Sequence, residues 1–93
     1  MRLKKVKGAK EKIEASSYII QNPKDYIGKW NKVFEKEQIV QIEIGMGKGN
    51  FIIEKAKRYP NINFIGIEKF DSVIVRAIEK LELLEVELPN LKL

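Results

Sequence analysis

The chain has 93 residues, with 18 Lys or Arg against 13 Asp or Glu, for a net charge of +5. It has no Cys and no His, which excludes disulfides, Cys/His zinc sites, a Cys nucleophile and a His general base. A content of 44% hydrophobic and 33% charged residues, with no apolar run long enough to span a bilayer, predicts a soluble cytoplasmic domain without a membrane partner.

Basic side chains crowd the start. Arg2, Lys4, Lys5, Lys7, Lys10 and Lys12 stand against Glu11 alone. No apolar segment of a signal peptide accompanies them. Such a cluster is an electrostatic footprint for nucleic acid, and equally the look of a solvated terminus. Arg2, Lys4, Lys5 and Lys7 are the candidate nucleic-acid contacts. Residues 1–21 read as a weakly helical, mobile arm, and residues 22–93 as the folded part.

Tyr18-Ile19-Ile20 can pack as an extended segment before Asn22-Pro23 breaks the chain. Ile27, Trp30, Val33 and Phe34 recur at helical spacing, which predicts a helix from about Lys24 to Lys36 capped by Asn22 or Asp25. Trp30 and Phe34 lie one turn apart on its apolar face. Trp30 reads as a core anchor ahead of a base-stacking platform.

Ile39 to Ile44 alternates as a strand. Gly45 to Gly49 is a tight turn, and Asn50 to Tyr59 an amphipathic helix stopped by Pro60. A second strand covers 63–68. A second helix runs from Ser72 to about Leu84, with Ile74, Ala77, Ile78 and Leu81 on one face and Asp71 or Ser72 as its cap. Leu91-Lys92-Leu93 starts a third strand. The order β-α-β-α-β(start) predicts an α/β fold: the N-terminal half of a Rossmann-like, doubly wound parallel sheet. Ligands of such sheets bind beyond the carboxyl ends of the strands. The Gly45–Gly49 turn and Glu68 both fall there.

Three glycine motifs compete for this turn. A P-loop needs Ser or Thr after Gly47-Lys48, and Gly49 stands there instead. A dinucleotide fingerprint needs Gly where Asn50 stands. Glu43, two residues before the first glycine, would repel a pyrophosphate and suits a ligand with a cationic amine. Glu68, some twenty residues on, can accept hydrogen bonds from ribose hydroxyls.

Glu43-Ile44-Gly45-Met46-Gly47-Lys48-Gly49 resembles the S-adenosylmethionine site of class I methyltransferases. With Asn22-Pro23-Lys24-Asp25-Tyr26-Ile27-Gly28-Lys29-Trp30-Asn31, Asn63-Phe64-Ile65-Gly66-Ile67-Glu68-Lys69-Phe70 and Ser72-Val73-Ile74-Val75-Arg76-Ala77, the chain is similar to the bacterial tRNA (guanine-N7-)-methyltransferases. The resemblance implies transfer of a methyl group from S-adenosylmethionine to guanine N7 in the tRNA variable loop. By the same resemblance Glu43 and Glu68 are cofactor-binding acids, and Gly45, Gly47 and Gly49 form the cofactor turn.

Members of that family are considerably longer. Their further cofactor acids and an Asp-Pro-Trp-Pro stretch that bears on guanine and tRNA fall beyond Leu93. The chain is therefore expected to be an N-terminal fragment, inactive by itself, with its catalytic residues unassigned. Its first strand should be left with a bare apolar edge and should pair with another chain. Two other readings stay open on the residues alone: a dinucleotide-binding oxidoreductase fragment, and a non-catalytic nucleic-acid-binding module.

Overall fold

A computed structural model of the chain describes residues 8–93. The Arg2, Lys4, Lys5 and Lys7 cluster lies outside the described residues. Within the segment read as an arm, residues Ala9–Ala15 form a short helix, α1. Ala9 is buried, and the Gln21 side-chain amide donates to the carbonyls of Ile13 (3.1 Å) and Glu14 (3.3 Å) at the helix end. The Ile13 carbonyl also accepts the Ser16 amide (3.4 Å), and Gln21 adds a donor to this open end from outside the helix.

The predicted helix over Lys24–Lys36 is not formed. Two 3-10 turns stand in its place, Pro23–Tyr26 and Trp30–Val33. Between them Gly28 takes φ 77°, a left-handed geometry that no α-helix continues through. Ile27 is left exposed and Phe34, extended, is buried, so the apolar spacing marks packing contacts and not a helical stripe. Neither Asn22 nor Asp25 caps by its side chain.

The remaining elements follow the predicted order: β1 (Ile39–Ile44), α2 (Asn50–Arg58), β2 (Ile62–Ile67), α3 (Asp71–Glu82) and β3 (Leu91–Lys92). The three strands are parallel, in the order β1-β2-β3. This is the small α/β sheet expected of half a doubly wound fold. In α2, Ile52, Ile53 and Ala56 face the sheet, and Lys55, Lys57 and Arg58 complement the dipole at its last turn. In α3, Val75, Ile78 and Leu81 recur every three residues and are buried with Ala77. No side chain caps α3: the predicted Asp71 or Ser72 cap is replaced by Phe70 in extended geometry.

The core joins Met46, Ile52, Ile53, Ala56, Phe64, Ala77, Leu81 and Leu91. β2 is its centre, buried from Asn63 to Gly66. Two buried amides fix the loops around it. Asn90 Nδ2 is shared among the carbonyls of Ala56 (3.0 Å), Tyr59 (3.1 Å) and Ile62 (2.9 Å), where α2 ends and β2 begins. Asn63 Nδ2 donates to Asn31 Oδ1 (2.9 Å) and the Lys36 carbonyl (2.8 Å), tying the 3-10 segment to the sheet.

The two edges of the sheet differ. On the β3 side, the Leu93 amide donates to the Tyr18 carbonyl (2.8 Å) and the Ile20 amide to the Leu93 carbonyl (3.0 Å). The Tyr18–Ile20 run thus covers that edge, but as a turn and bend and not as the extended segment expected, because the Ile19 amide folds back onto the Ser16 carbonyl (3.3 Å). On the other side, β1 has no outer partner among the described residues, and Ile39 (72%), Ile42 (49%) and Ile44 (83%) are exposed.

Candidate functional site at the carboxyl ends of the strands

β1 and β2 run in register, so Glu43 stands beside Gly66 and Ile44 beside Ile67. The chain then turns sharply through Gly45 (φ 73°), Gly47 (φ 59°) and Gly49 (φ 82°) into α2. All three take the left-handed region, which disfavours side chains. Gly49 is constrained twice. A Cβ there would also lie 3.0 Å from the Ala77 methyl of α3 and 3.3 Å from Ile53 Cδ1.

The turn is tied to β2 by its amides. Gly45 and Met46 both donate to the Ile67 carbonyl, at 2.8 and 3.0 Å. Gly47 donates to Glu68 Oε1 at 3.1 Å, while Glu68 Oε2 accepts the Phe70 amide at 3.1 Å. Glu68 therefore links the glycine turn to the start of α3. An ionised carboxylate offers about four acceptor positions, so two such bonds leave room for hydroxyl donors.

Glu43 differs. Its Oε2 is buried and has no hydrogen-bond partner. A carboxylate oxygen withdrawn from water without a donor is costly until a donor or cation reaches it. It stands at the end of β1, immediately before the glycine turn, with an acceptor open to a positively charged or N–H-bearing group. Among the described residues, no group of three His, Cys, Asp or Glu side chains is arranged to hold a metal ion.

The structure thus brings Glu43, Gly45, Gly47, Gly49 and Glu68 to one end of the sheet. Three further residues shape this site. Met46 is buried over β2, and a Cβ on Gly66 would lie 2.4 Å from its Sδ. Gly66 therefore makes the space in which the turn sits. A glycine inside a strand is the signal for such a close approach. Lys80 of α3 donates from Nζ to the Lys48 carbonyl (3.2 Å) and to Asn50 Oδ1, a contact with no local signature in the sequence. Trp30 is elsewhere. It is half-buried and lines a cleft of about 410 Å³ with Lys29, Lys32 and Val40, toward the amino end of β1.

Residues 37–93 match a protein-family model described as "Putative methyltransferase". Among curated proteins, a tRNA (guanine-N(7)-)-methyltransferase of Geobacillus sp. (strain WCH70) is 53% identical over all of this chain and 42% of its own length. The enzyme of that name from Lachnoclostridium phytofermentans is 50% identical over 88% of this chain and 38% of its own. That of Bacillus cytotoxicus is 49% identical over all of this chain and 42% of its own. The chain spans about two fifths of the length of these relatives.

Proposed function

The chain belongs to this methyltransferase family, and from that premise we propose that it carries the first half of an S-adenosylmethionine site in an enzyme that methylates guanine N7 in the variable loop of tRNA. The observation that carries this reading is the partnerless, buried Oε2 of Glu43 beside the three-glycine turn. It is an acceptor without a donor at the place where a cationic amine is expected. When bound, S-adenosylmethionine supplies a methyl group activated on a sulfonium.

The residues of this chain bind and orient. Glu43 receives the ammonium of the ligand's amino-acid end, directly or through water. Glu68 accepts the ribose hydroxyls with the lone pairs that the Gly47 and Phe70 amides leave free. The glycine turn lets the ligand reach the main chain. Guanine N7 carries a lone pair and no proton, so attack needs no strong base, and catalysis rests on alignment. The chain's lack of His and Cys is compatible with that.

The names of the relatives support tRNA as the substrate, and the excess of basic residues suits a polyanion. Arg2, Lys4, Lys5 and Lys7 are proposed as tRNA phosphate contacts. On this reading the protein works in the cytoplasm. No helix among the described residues is long and apolar enough to cross a membrane. Membership of a methyltransferase family favours this reading over dinucleotide-linked oxidation and over a non-catalytic nucleic-acid module.

A thermal-shift comparison tests the choice of ligand. S-adenosylhomocysteine should raise the melting temperature, increasingly with the logarithm of its free concentration above the dissociation constant, and NAD should leave it unchanged. A shift with NAD alone would overturn the proposal.

A further inference from the structure

We infer that Lys80 is a positioning residue for the cofactor turn, an assignment that rests on the methyltransferase reading above. A turn with three left-handed glycines has little intrinsic preference for one shape, because glycine has the most conformational freedom to lose on folding. It must be held from outside. Its first half is held by β2, through the Ile67 carbonyl and the Glu68 carboxylate. Its second half, Lys48 to Asn50, has no such tie to the sheet. Gly49 donates only back to the Met46 carbonyl at 3.2 Å.

What meets that second half is α3. The Ala77 methyl lies against Gly49, 3.0 Å from where a Cβ would stand, so a side chain there would crowd α3. One turn further on, Lys80 Nζ donates to the Lys48 carbonyl at 3.2 Å and to Asn50 Oδ1, the first residue of α2. Lys80 stands in the last turn of α3, whose dipole favours a cation, but its ammonium reaches the start of α2, whose dipole opposes one. Lys80 forms no ion pair among the described residues. The two acceptors are what hold it. Lys80 therefore closes the open half of the turn against α3, and sets the direction of the backbone that a ligand would meet between Gly47 and Asn50.

The test compares wild type, Lys80→Met, Lys80→Arg and Lys57→Met. The last removes a lysine paired on the surface with Glu54, away from the turn. Two readouts are taken: S-adenosylhomocysteine affinity by calorimetry, and amide hydrogen exchange resolved to Gly47, Gly49 and Asn50. Lys80→Met should weaken binding by about tenfold, the scale of one hydrogen bond to a charged group. It should speed exchange at Gly49 and lower the unfolding midpoint slightly, while leaving β2 amides unchanged. Lys80→Arg should recover most of both effects, and Lys57→Met should match wild type. Unchanged exchange in the turn of Lys80→Met overturns the positioning role, whatever the affinity does. A folded wild type that binds no S-adenosylhomocysteine overturns the cofactor reading instead, and the exchange data still decide whether Lys80 holds the turn.

Discussion

The Glu68 carboxylate accepts the Gly47 amide at 3.1 Å, so the acid that ends β2 holds the middle of the turn that follows β1. One side chain thereby ties the turn to the start of α3 and, on the proposed reading, also meets the ligand. Glu68→Ala should lower stability by about 1 kcal/mol, the lower end for charge-assisted bonds because the group is half-exposed. Glu68→Gln keeps an acceptor and should lose less. Urea midpoints at constant slope measure both.

Gly49 and Gly45 both have positive φ, but only Gly49 is also crowded. Gly45→Ala should cost about 1 kcal/mol for the left-handed backbone. Gly49→Ala should cost about 2–4 kcal/mol, because its Cβ must also displace Ala77. Equal losses in denaturant titrations would contradict the packing of α3 under the turn.

Asn90 satisfies three carbonyls while itself buried. Asn90→Leu should destabilise by about 2–4 kcal/mol, since several acceptors lose a donor away from water. Asn90→Asp should be at least as damaging near neutral pH, where a carboxylate would face those carbonyls, and less so in acid. Thermal melts at two pH values separate the cases.

Two groups give stability a pH dependence at opposite ends. Burial raises the Tyr18 phenol above its ordinary value, although its bond from the Leu88 amide pulls the other way. A raised value in the folded state means that its contribution is complete below the ordinary phenol range and is lost as pH rises beyond it. Hydrogen bonding from Arg76 holds the Glu79 carboxylate below its usual range, with Lys12 of α1 adding to it. That contribution is present above the usual carboxylate range and is lost as pH falls through it, loosening α1 from α3. Tyr18→Phe should flatten the alkaline limb of a pH–melting curve, and Glu79→Gln the acid limb.

Ile39, Ile42 and Ile44 are exposed along the unpaired β1 edge, an invitation to strand addition. The chain is expected to self-associate through this strand. Light scattering should show species larger than one chain at high concentration, and Ile44→Lys should shift them toward monomer. A monomer at all concentrations would remove the proposal.

The alternation of β1 and the helical spacing after it make the βαβ frame legible, although Ile42 and Ile44 are exposed and only the stripes of α2 and α3 reach the core. Glu43, the three glycines and Glu68 were legible because a strand end, a tight turn and a strand end each leave a local mark. The segment from Pro23 to Val33 departs from the helix its spacing predicts. Trp30 and Phe34 have helical spacing, yet Gly28 breaks the chain between Ile27 and Trp30, and the Asn31–Asn63 bond sets the geometry from a distance of half the fold. Lys80 and Asn90 were invisible for the same reason. Their partners are carbonyls brought near only by packing.

The most direct measurement is calorimetric titration of the chain with S-adenosylhomocysteine beside Glu43→Ala and Glu68→Ala. Wild type should bind, and both variants, shown to be folded, should bind more weakly. Glu43→Ala should lose affinity without losing stability, since it removes a carboxylate with a partnerless buried oxygen. Binding by wild type that neither substitution weakens would contradict the site described here.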